Sequence, residues 1–326
     1  MISELKDTYK YPRVIALISF LSFVFGVATC FFGELFLPLA SSFLAILFLF
    51  EKSDKRFCSY ICPAASILAS VLLKGIAAII TIEYVLLAVI IAFCYKKSLT
   101  KAETSIYLTL VVAAFVFISL YLGAAVFLET FSPSEILDYY VKAFVEFKQS
   151  FIEAFSGFTI TASDGTEQNA MSVEEATLYF NVIYSSFIGI IGAFAFLISG
   201  LTLKIYTALV LKYSKHGILK KFSHFIPSNF CAYAYIVSAI LSALSSDTSK
   251  FGLVLLNVNV IMMAVFAYMG ARYILMLIKH SERKGMIYFI LAASCLAFSS
   301  VVPSIISYLG VWVVIGTNSH NKASNN

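Results

Sequence analysis

Charged residues are scarce in this sequence. They make up 13% of the 326 residues, whereas a soluble domain typically carries about 25%. Hydrophobic residues reach 60%, and the mean hydropathy is +0.91. This composition excludes an ordinary soluble domain. The net charge of +5 is spread over short segments between apolar runs, so it argues for membrane topology signals and against a nucleic-acid-binding surface.

The sequence also lacks the short motifs that identify common enzyme classes. It contains no H-E-x-x-H, no G-x-S-x-G and no phosphate-binding P-loop. Its four histidines lie outside the apolar runs, and none accompanies the pair formed by Cys58 and Cys62. The cysteines predict small packing residues and no disulfide framework. We therefore expect no enzymatic activity, no metal centre and no cofactor.

What the sequence does contain is a series of apolar runs of helical length. A bilayer core about 30 Å thick is crossed by about 20 apolar residues in a helix. We predict an all-α, polytopic transmembrane helical bundle of eight to ten spans with one extracytoplasmic amphipathic helix. A further apolar stretch at 286–316 contains Pro303, so it could form either one long helix or a tight hairpin. The side of the membrane on which the C-terminus lies depends on which of the two it forms. The other candidate spans are residues 14–32, 35–50, 58–73, 76–94, 105–127, 178–203, 228–245 and 251–279.

The distribution of basic residues predicts the orientation of the spans. Short cytoplasmic loops carry an excess of lysine and arginine. Most of the 23 basic residues fall in alternate loops, near 6–13, 52–56, 96–101, 204–221 and 279–284. This pattern predicts a multi-pass protein of the cell (cytoplasmic) membrane, with an uncleaved first span and a cytoplasmic N-terminus.

Residues 129–177 form an acidic insertion between an N-terminal transmembrane half, 1–128, and a C-terminal half, 178–326. Within it, Ser132 is a predicted N-cap, Pro133 suits the first helical position, and Glu135 completes a capping box. Apolar residues then recur every three or four positions up to a stop at Gly157, which predicts an amphipathic helix. The helix is too polar to span, so we expect an extracytoplasmic lid or bundle-packed helix, followed by a polar loop.

Polar side chains inside the apolar runs are the candidate binding residues. Ionisable groups at a helix centre cost about 2.5–3.5 kcal/mol by insertion scales, so they usually face protein or water. With the orientation above they fall in the outer half of the membrane, and we predict that they line an outward-facing polar site. The candidate substrate-binding residues are Glu83, Asn181, Asn257, Asn259 and Glu34.

Each of these residues also has a structural interpretation. The asparagines could simply join helices, at about 0.6 kcal/mol for each hydrogen bond, and Glu34 could be a solvated turn residue. Asn257 and Asn259 are about 200° apart on a helix and cannot share a face. We expect Asn257 to face the bundle and Asn259 to face either a second neighbouring helix or the lid.

A second set of residues indicates packing or partner contacts. Ser185, Gly189 and Ala193 form a row of small residues that permits close helix approach, either within the chain or against another membrane subunit. Arg272 lies near the predicted cytoplasmic end of its span, where a snorkelling anchor is expected.

The order of several segments resembles a known family. A proline-leucine turn, "LFLPLASSFLAIL", precedes the acidic insertion. After it come a long span with a basic end, "GLTLKIYTALVLKYSKHG", a phenylalanine-proline element, "LKKFSHFIPSNFCAYAYIVSAIL", and the ending "YLGVWVVIGTNSHNK". Over nearly the whole chain, this order resembles the YybS-like family of predicted bacterial membrane proteins, a domain of unknown function.

The resemblance implies a bacterial cytoplasmic-membrane protein without an assigned reaction. In pattern the family is similar to the substrate-binding S components of energy-coupling-factor vitamin transporters. Those proteins bind a small molecule near the outer face and dock on a partner membrane subunit. The implied partners are therefore the lipid bilayer, an energy-coupling membrane subunit with its ATPase, and an unknown small molecule, with no nucleic acid.

Two functions remain open at this point. The first is a small-molecule-binding or permease-like transporter subunit with an outward-facing polar site. The alternative is a non-transporting membrane scaffold that recruits envelope or cytoplasmic partners. A transporter needs Glu83 and the amides to converge on a cavity, whereas a scaffold leaves each of them paired to a neighbouring helix.

Overall fold

The predicted helical architecture is confirmed. The computed structural model describes residues 12–49, 56–75, 79–157, 159–161, 167–169, 171–213, 227–245, 249–279, 285–286 and 301–323. These residues form eleven α-helices, a short 3-10 turn at Gly33–Leu35 and one small hairpin. The helices are α1 (Pro12–Phe32), α2 (Leu37–Leu49), α3 (Arg56–Lys74), α4 (Ile79–Lys96), α5 (Lys101–Phe127), α6 (Pro133–Ser156), α7 (Val173–Ser185), α8 (Phe187–Tyr213), α9 (Asn229–Leu244), α10 (Lys250–Lys279) and α11 (Val302–Ala323).

Five of the described helices are long and apolar enough to cross a membrane, by length and composition. They cover Val14–Phe32, Ile79–Lys96, Lys101–Phe127, Phe187–Lys212 and Lys250–Lys279. Four shorter apolar helices accompany them at Leu37–Leu49, Tyr60–Lys74, Asn229–Leu244 and Val302–Thr317. These helices are consistent with an integral membrane protein. Within the predicted stretch 286–316, residues 287–300 lie outside the described part of the chain.

One predicted span is interrupted, which corrects the sequence interpretation. The run 178–203 was expected to be one helix, but α7 ends at Ser185 and α8 begins at Phe187. The intervening Ser186 has φ −96° and ψ 7°, outside the helical pattern of its neighbours. Neither proline nor glycine occupies the break. The Ser186 hydroxyl donates to the Val182 carbonyl at 2.7 Å, and Asn257 of another helix bonds to both sides of the break, as described below.

The acidic insertion contains the predicted amphipathic helix, with Ser132 as N-cap and Gly157 as C-cap. The capping box predicted there is wrong, because the Ser132 hydroxyl makes no cap hydrogen bond and instead lies 3.0 Å from the Ser134 hydroxyl. The segment predicted as a polar loop contains a two-stranded antiparallel hairpin, β1 (Thr159–Thr161) and β2 (Glu167–Asn169). A true capping box, Ser172 with Glu175, starts α7.

The chain divides into two compact units. The first contains residues 1–123 and 194–225, and the second contains 124–193 and 226–326. In the first unit, α2 packs between α1 and α4, and α3 packs on α1. Its core consists of large, fully buried side chains such as Leu44, Tyr84, Ile91 and Tyr206.

In the second unit α10 is the central helix, packed on α11 and α9. Gly270 of α10 and Gly310 of α11 lie at their crossing. A Cβ atom on Gly270 would clash with the Ile306 carbonyl, and one on Gly310 would clash with the Phe266 carbonyl. Only glycine permits this approach at both positions. Nearby, the Tyr235 and Ser307 hydroxyls lie 2.9 Å apart and join α9 to α11.

Candidate functional site

Glu83 is the most deeply buried carboxyl group in the described residues. It lies in the first half of α4, a helix apolar enough to span a membrane, and only 1% of its surface is exposed. On the same helix Thr81, Tyr84 and Leu87 are each 0% exposed, whereas Ile82 and Leu86 are exposed. An ionisable group at such a position is costly and typically marks a functional site.

Hydroxyl groups lie where α4 contacts α1 and α3. The Thr81 hydroxyl of α4 donates to the Ser70 hydroxyl of α3 at 2.9 Å. One turn further, Gly26 of α1 faces both Ser66 and Tyr84. A Cβ atom on Gly26 would lie 2.9 Å from the Ser66 Oγ atom and 2.9 Å from the Tyr84 Cζ atom. Glycine thus lets these two polar side chains reach α1.

Asn257 of α10 forms hydrogen bonds to both sides of the break between α7 and α8. Its Oδ1 atom accepts a hydrogen bond from the Gly189 N–H at 2.5 Å, and its Nδ2 atom donates to the Ser185 carbonyl at 2.8 Å. A third bond runs from Nδ2 to Leu253 within α10, also at 2.8 Å. Helix ends leave N–H and C=O groups without intrahelical partners. A single amide therefore satisfies one group on each side of the break.

The small-residue row contributes to this junction. A Cβ atom on Gly189 would lie 2.7 Å from the Asn257 carbonyl oxygen, so glycine is required for α8 to approach α10 so closely. Ser185 supplies the carbonyl that Asn257 binds. These two members of the row make contacts within the chain; Ala193 is half-buried.

The remaining candidate residues lie in different surroundings. Asn181 is exposed on α7, and its Oδ1 atom accepts from Lys148 of α6 at 3.4 Å. Asn259 is half-buried, and its Oδ1 atom has no hydrogen-bond partner among the described residues. Arg272 has an exposed side chain. Glu34 lies in the 3-10 turn after α1, and its side chain is outside the described part.

Aromatic residues join α6 to α7 in the second unit. The rings of Phe144 and Tyr184 are 5.1 Å apart and edge-to-face, and Phe151 lies 5.7 Å from Phe180. The apolar stripe predicted for α6 therefore packs partly against α7. Ile136 of the stripe is buried, whereas Leu137 and Val145, which lie outside the stripe, are exposed.

The structure places the candidate residues in both units. Glu34 and Glu83 belong to the first unit, and the three asparagines belong to the second. Sequence reasoning missed Gly26, Tyr84 and the Gly270–Gly310 pair. The signal for the glycines was present as small residues inside apolar runs, but nothing in one sequence shows which neighbour each would meet.

The chain is predominantly helical, its apolar helices are consistent with an integral membrane protein, and among the described residues one carboxyl group, that of Glu83, is deeply buried. No group of three metal-ligating side chains (histidine, cysteine, aspartate or glutamate) occurs in the part of the chain that the structure describes. In comparisons with known proteins, no family model, no curated protein and no solved structure matches the chain.

Proposed function

We propose that the chain is a small-molecule-binding or permease-like subunit of a transporter in the cell membrane. The observation that carries this proposal is the burial of Glu83, at 1% exposure inside an apolar helix. A carboxyl group is costly to bury inside an apolar helix. Ionisable residues at membrane depth usually face protein or water and often mark binding sites.

The proposed topology has eight to ten spans, a cytoplasmic N-terminus and α6 outside the membrane. The five long and four short apolar helices support this number of spans. The lysines at the ends of α4, α8 and α10, Lys96, Lys212 and Lys279, support the orientation, since basic residues mark cytoplasmic loops. In this topology Glu83 lies in the outer half of α4.

The polar candidates divide into two roles under this proposal. Glu83 is the binding residue, while Asn257 is a positioning residue whose three hydrogen bonds are all made to main-chain atoms of the chain. Asn259 keeps an amide oxygen without a described partner, so it is the second candidate for ligand contact. The proposal also includes membership of the YybS-like family. Its proposed partners are an energy-coupling membrane subunit and the ATPase of that subunit.

The proposal predicts a bound small molecule that depends on Glu83. We expect native mass spectrometry of the chain, extracted gently from its own membranes, to detect a stoichiometric metabolite. Glu83→Gln keeps the size of the side chain and removes its charge, so this variant should lose the metabolite. Glu103→Gln is the matched control, because Glu103 is an exposed carboxylate at the start of α5. Equal occupancy in all three proteins would contradict the proposal.

The scaffold function remains the second candidate, and one observation favours it. The Asn257 amide is used entirely in joining α7, α8 and α10, which is the arrangement expected of helix-joining residues. In that case α6 would recruit partners through exposed acids such as Glu135, Asp138 and Glu146. Recovery of envelope proteins that is lost when these acids are replaced would support the scaffold.

A further inference from the structure

We propose that α6 is an interfacial helix whose aliphatic row, formed by Leu137, Val141 and Val145, inserts into the lipid bilayer. The insertion takes place at the membrane surface where α5 ends and α8 begins, and the row contacts lipid acyl chains. The proposal requires only that the apolar helices cross a membrane, so it holds for either function considered above. In the proposed topology this surface is the outer one.

The aliphatic row is an exposed apolar face of α6. Leu137 is 64% exposed, Val141 is 50% exposed and Val145 is 62% exposed. Residues four apart lie on the same side of an α-helix. The three side chains therefore form one stripe, about 12 Å long. Exposed apolar side chains that form a contiguous patch mark a contact with a partner or with a membrane.

The aromatic side of α6 faces α7 and lies about 90° around the helix from the aliphatic row. The rings of Phe147 and Phe151 lie 5.9 Å and 5.7 Å from the ring of Phe180 on α7. Lys148 is next to these aromatic residues, and its Nζ atom donates to Asn181 of α7 at 3.4 Å, so its charge is directed to α7. The contact with α7 thus uses the aromatic residues of α6 and leaves the aliphatic row to another environment.

Aromatic contacts hold α6 at the level where two apolar helices end. The ring of Tyr139 lies 5.5 Å from the ring of Phe127, the last residue of α5. The ring of Phe144 lies 5.6 Å from the ring of Phe187, the first residue of α8. Both α5 and α8 are long and apolar enough to cross a membrane. Val141 lies between the two contact points, so the aliphatic row lies at the membrane surface.

The start of α10 gives the depth of this level. Asn257 bonds to the N–H of Gly189, which follows Phe187 by two residues. The charged end of α10 at Lys250 precedes Asn257 by seven residues, or about 10 Å of helix. The start of α8 therefore lies about 10 Å below this charged end. An interfacial helix buries its apolar face about 5–10 Å into the boundary between headgroups and acyl chains, which matches the level of Phe144.

The charges of α6 indicate which lipid interaction is used. The helix contains four acidic residues and two lysines, whereas helices that are attracted to anionic lipids carry a basic face. The contact therefore rests on burial of the aliphatic row and needs no anionic headgroup. The polar side of the helix is exposed and is directed away from α7. It consists of Asp138, Lys142, Glu146, Gln149 and Glu153.

Tryptophan fluorescence of the full chain in vesicles tests the proposal. The chain contains one tryptophan, Trp312, so Trp312→Phe provides a silent background. In that background, Val141→Trp reports on the aliphatic row and Gln149→Trp is the control on the polar side of the same helix. In phosphatidylcholine vesicles with brominated acyl chains, we expect Val141→Trp to be quenched several-fold more strongly than Gln149→Trp. Addition of phosphatidylglycerol, an anionic lipid, should leave this difference unchanged.

Two results would overturn the proposal. Blue-shifted emission of Val141→Trp without quenching would show that protein covers the row, for example a second copy of the chain. Red-shifted emission without quenching would show that the row faces water.

A measurement on the wild-type chain does not depend on the folding of a variant. A photoreactive carbene probe that partitions into the bilayer should label Leu137, Val141 or Val145, as mapped by mass spectrometry, and should leave the polar side of α6 unlabelled. Equal labelling of the two sides would also contradict the proposal. These outcomes leave the metabolite measurement above unaffected, so the two proposals can fail separately.

Discussion

At the scale of single residues, the structure places two unusual polar groups in different surroundings. Asn257 makes three hydrogen bonds and links three helices. Glu83 lies in α4 with only 1% of its surface exposed. The sequence selected both residues as unusual for their apolar surroundings, but it could not separate the two roles, because the separation depends on which atoms lie within hydrogen-bond distance.

Replacement of Asn257 should destabilise the second unit. In Asn257→Ala the Gly189 N–H and the Ser185 carbonyl lose their partner, and an unsatisfied buried group costs about 1–3 kcal/mol. We expect the free energy of unfolding in mixed micelles to fall by about that amount. Asn259→Ala, two residues along the same helix, removes an amide oxygen without a described partner and should cost less. Equal losses in the two variants would contradict the role given to Asn257.

At the scale of helices, the sequence predicted most boundaries correctly. Residues 14–32, 58–73, 228–245 and 251–279 were predicted to within about two residues of the observed helices. Hydrophobic length and the flanking polar residues determine such boundaries, and both are local. The break at Ser186 was missed because Asn257, which bonds to both sides of it, lies about 70 residues away in the sequence.

The start of α7 should depend on pH through its capping box. The Glu175 carboxylate accepts from the Ser172 N–H at 2.8 Å and from the Ser172 hydroxyl at 3.0 Å. These bonds lower the pKa of Glu175 below its usual 4.5. A lowered pKa in the folded state means that the stabilisation is present above the ordinary value and is lost as the pH falls through the lowered one.

The measurement for this helix start is the NMR shift of the Ser172 amide during acid titration. We expect its midpoint to lie below 4.5. In Glu175→Gln the same amide should show no such titration, because the side chain can still accept a hydrogen bond but cannot be protonated. A midpoint at or above the ordinary value would contradict the capping box.

The crossing of α10 and α11 should tolerate no side chain at its two glycines. Gly270→Ala and Gly310→Ala each place a methyl group against the main chain of the facing helix. Overpacking costs about 1–3 kcal/mol even where side chains can yield, so we expect at least this loss in unfolding experiments. Gly316→Ala is the control on α11, because nothing lies within 4 Å of its added Cβ atom. That variant should be neutral or slightly stabilising, and similar behaviour of all three variants would rule out the close crossing.

At the scale of the whole molecule, composition alone predicted a helical chain with membrane-spanning helices. Low charge and repeated apolar runs favour it, and five described helices have the length and apolar composition to cross a membrane. The division into two units, with α5 and α8 passing from one to the other, was not predictable. It follows from contacts between distant segments, such as those of α8 with residues of the first unit and with α10.

The most direct test of the account is a mass-spectrometric inventory of what the wild-type chain retains after gentle purification from its native membrane. The account predicts a stoichiometric small molecule, with an energy-coupling membrane subunit and its ATPase among the co-purifying proteins. Recovery of envelope proteins alone, with no small molecule bound, would contradict the transporter function and favour the scaffold.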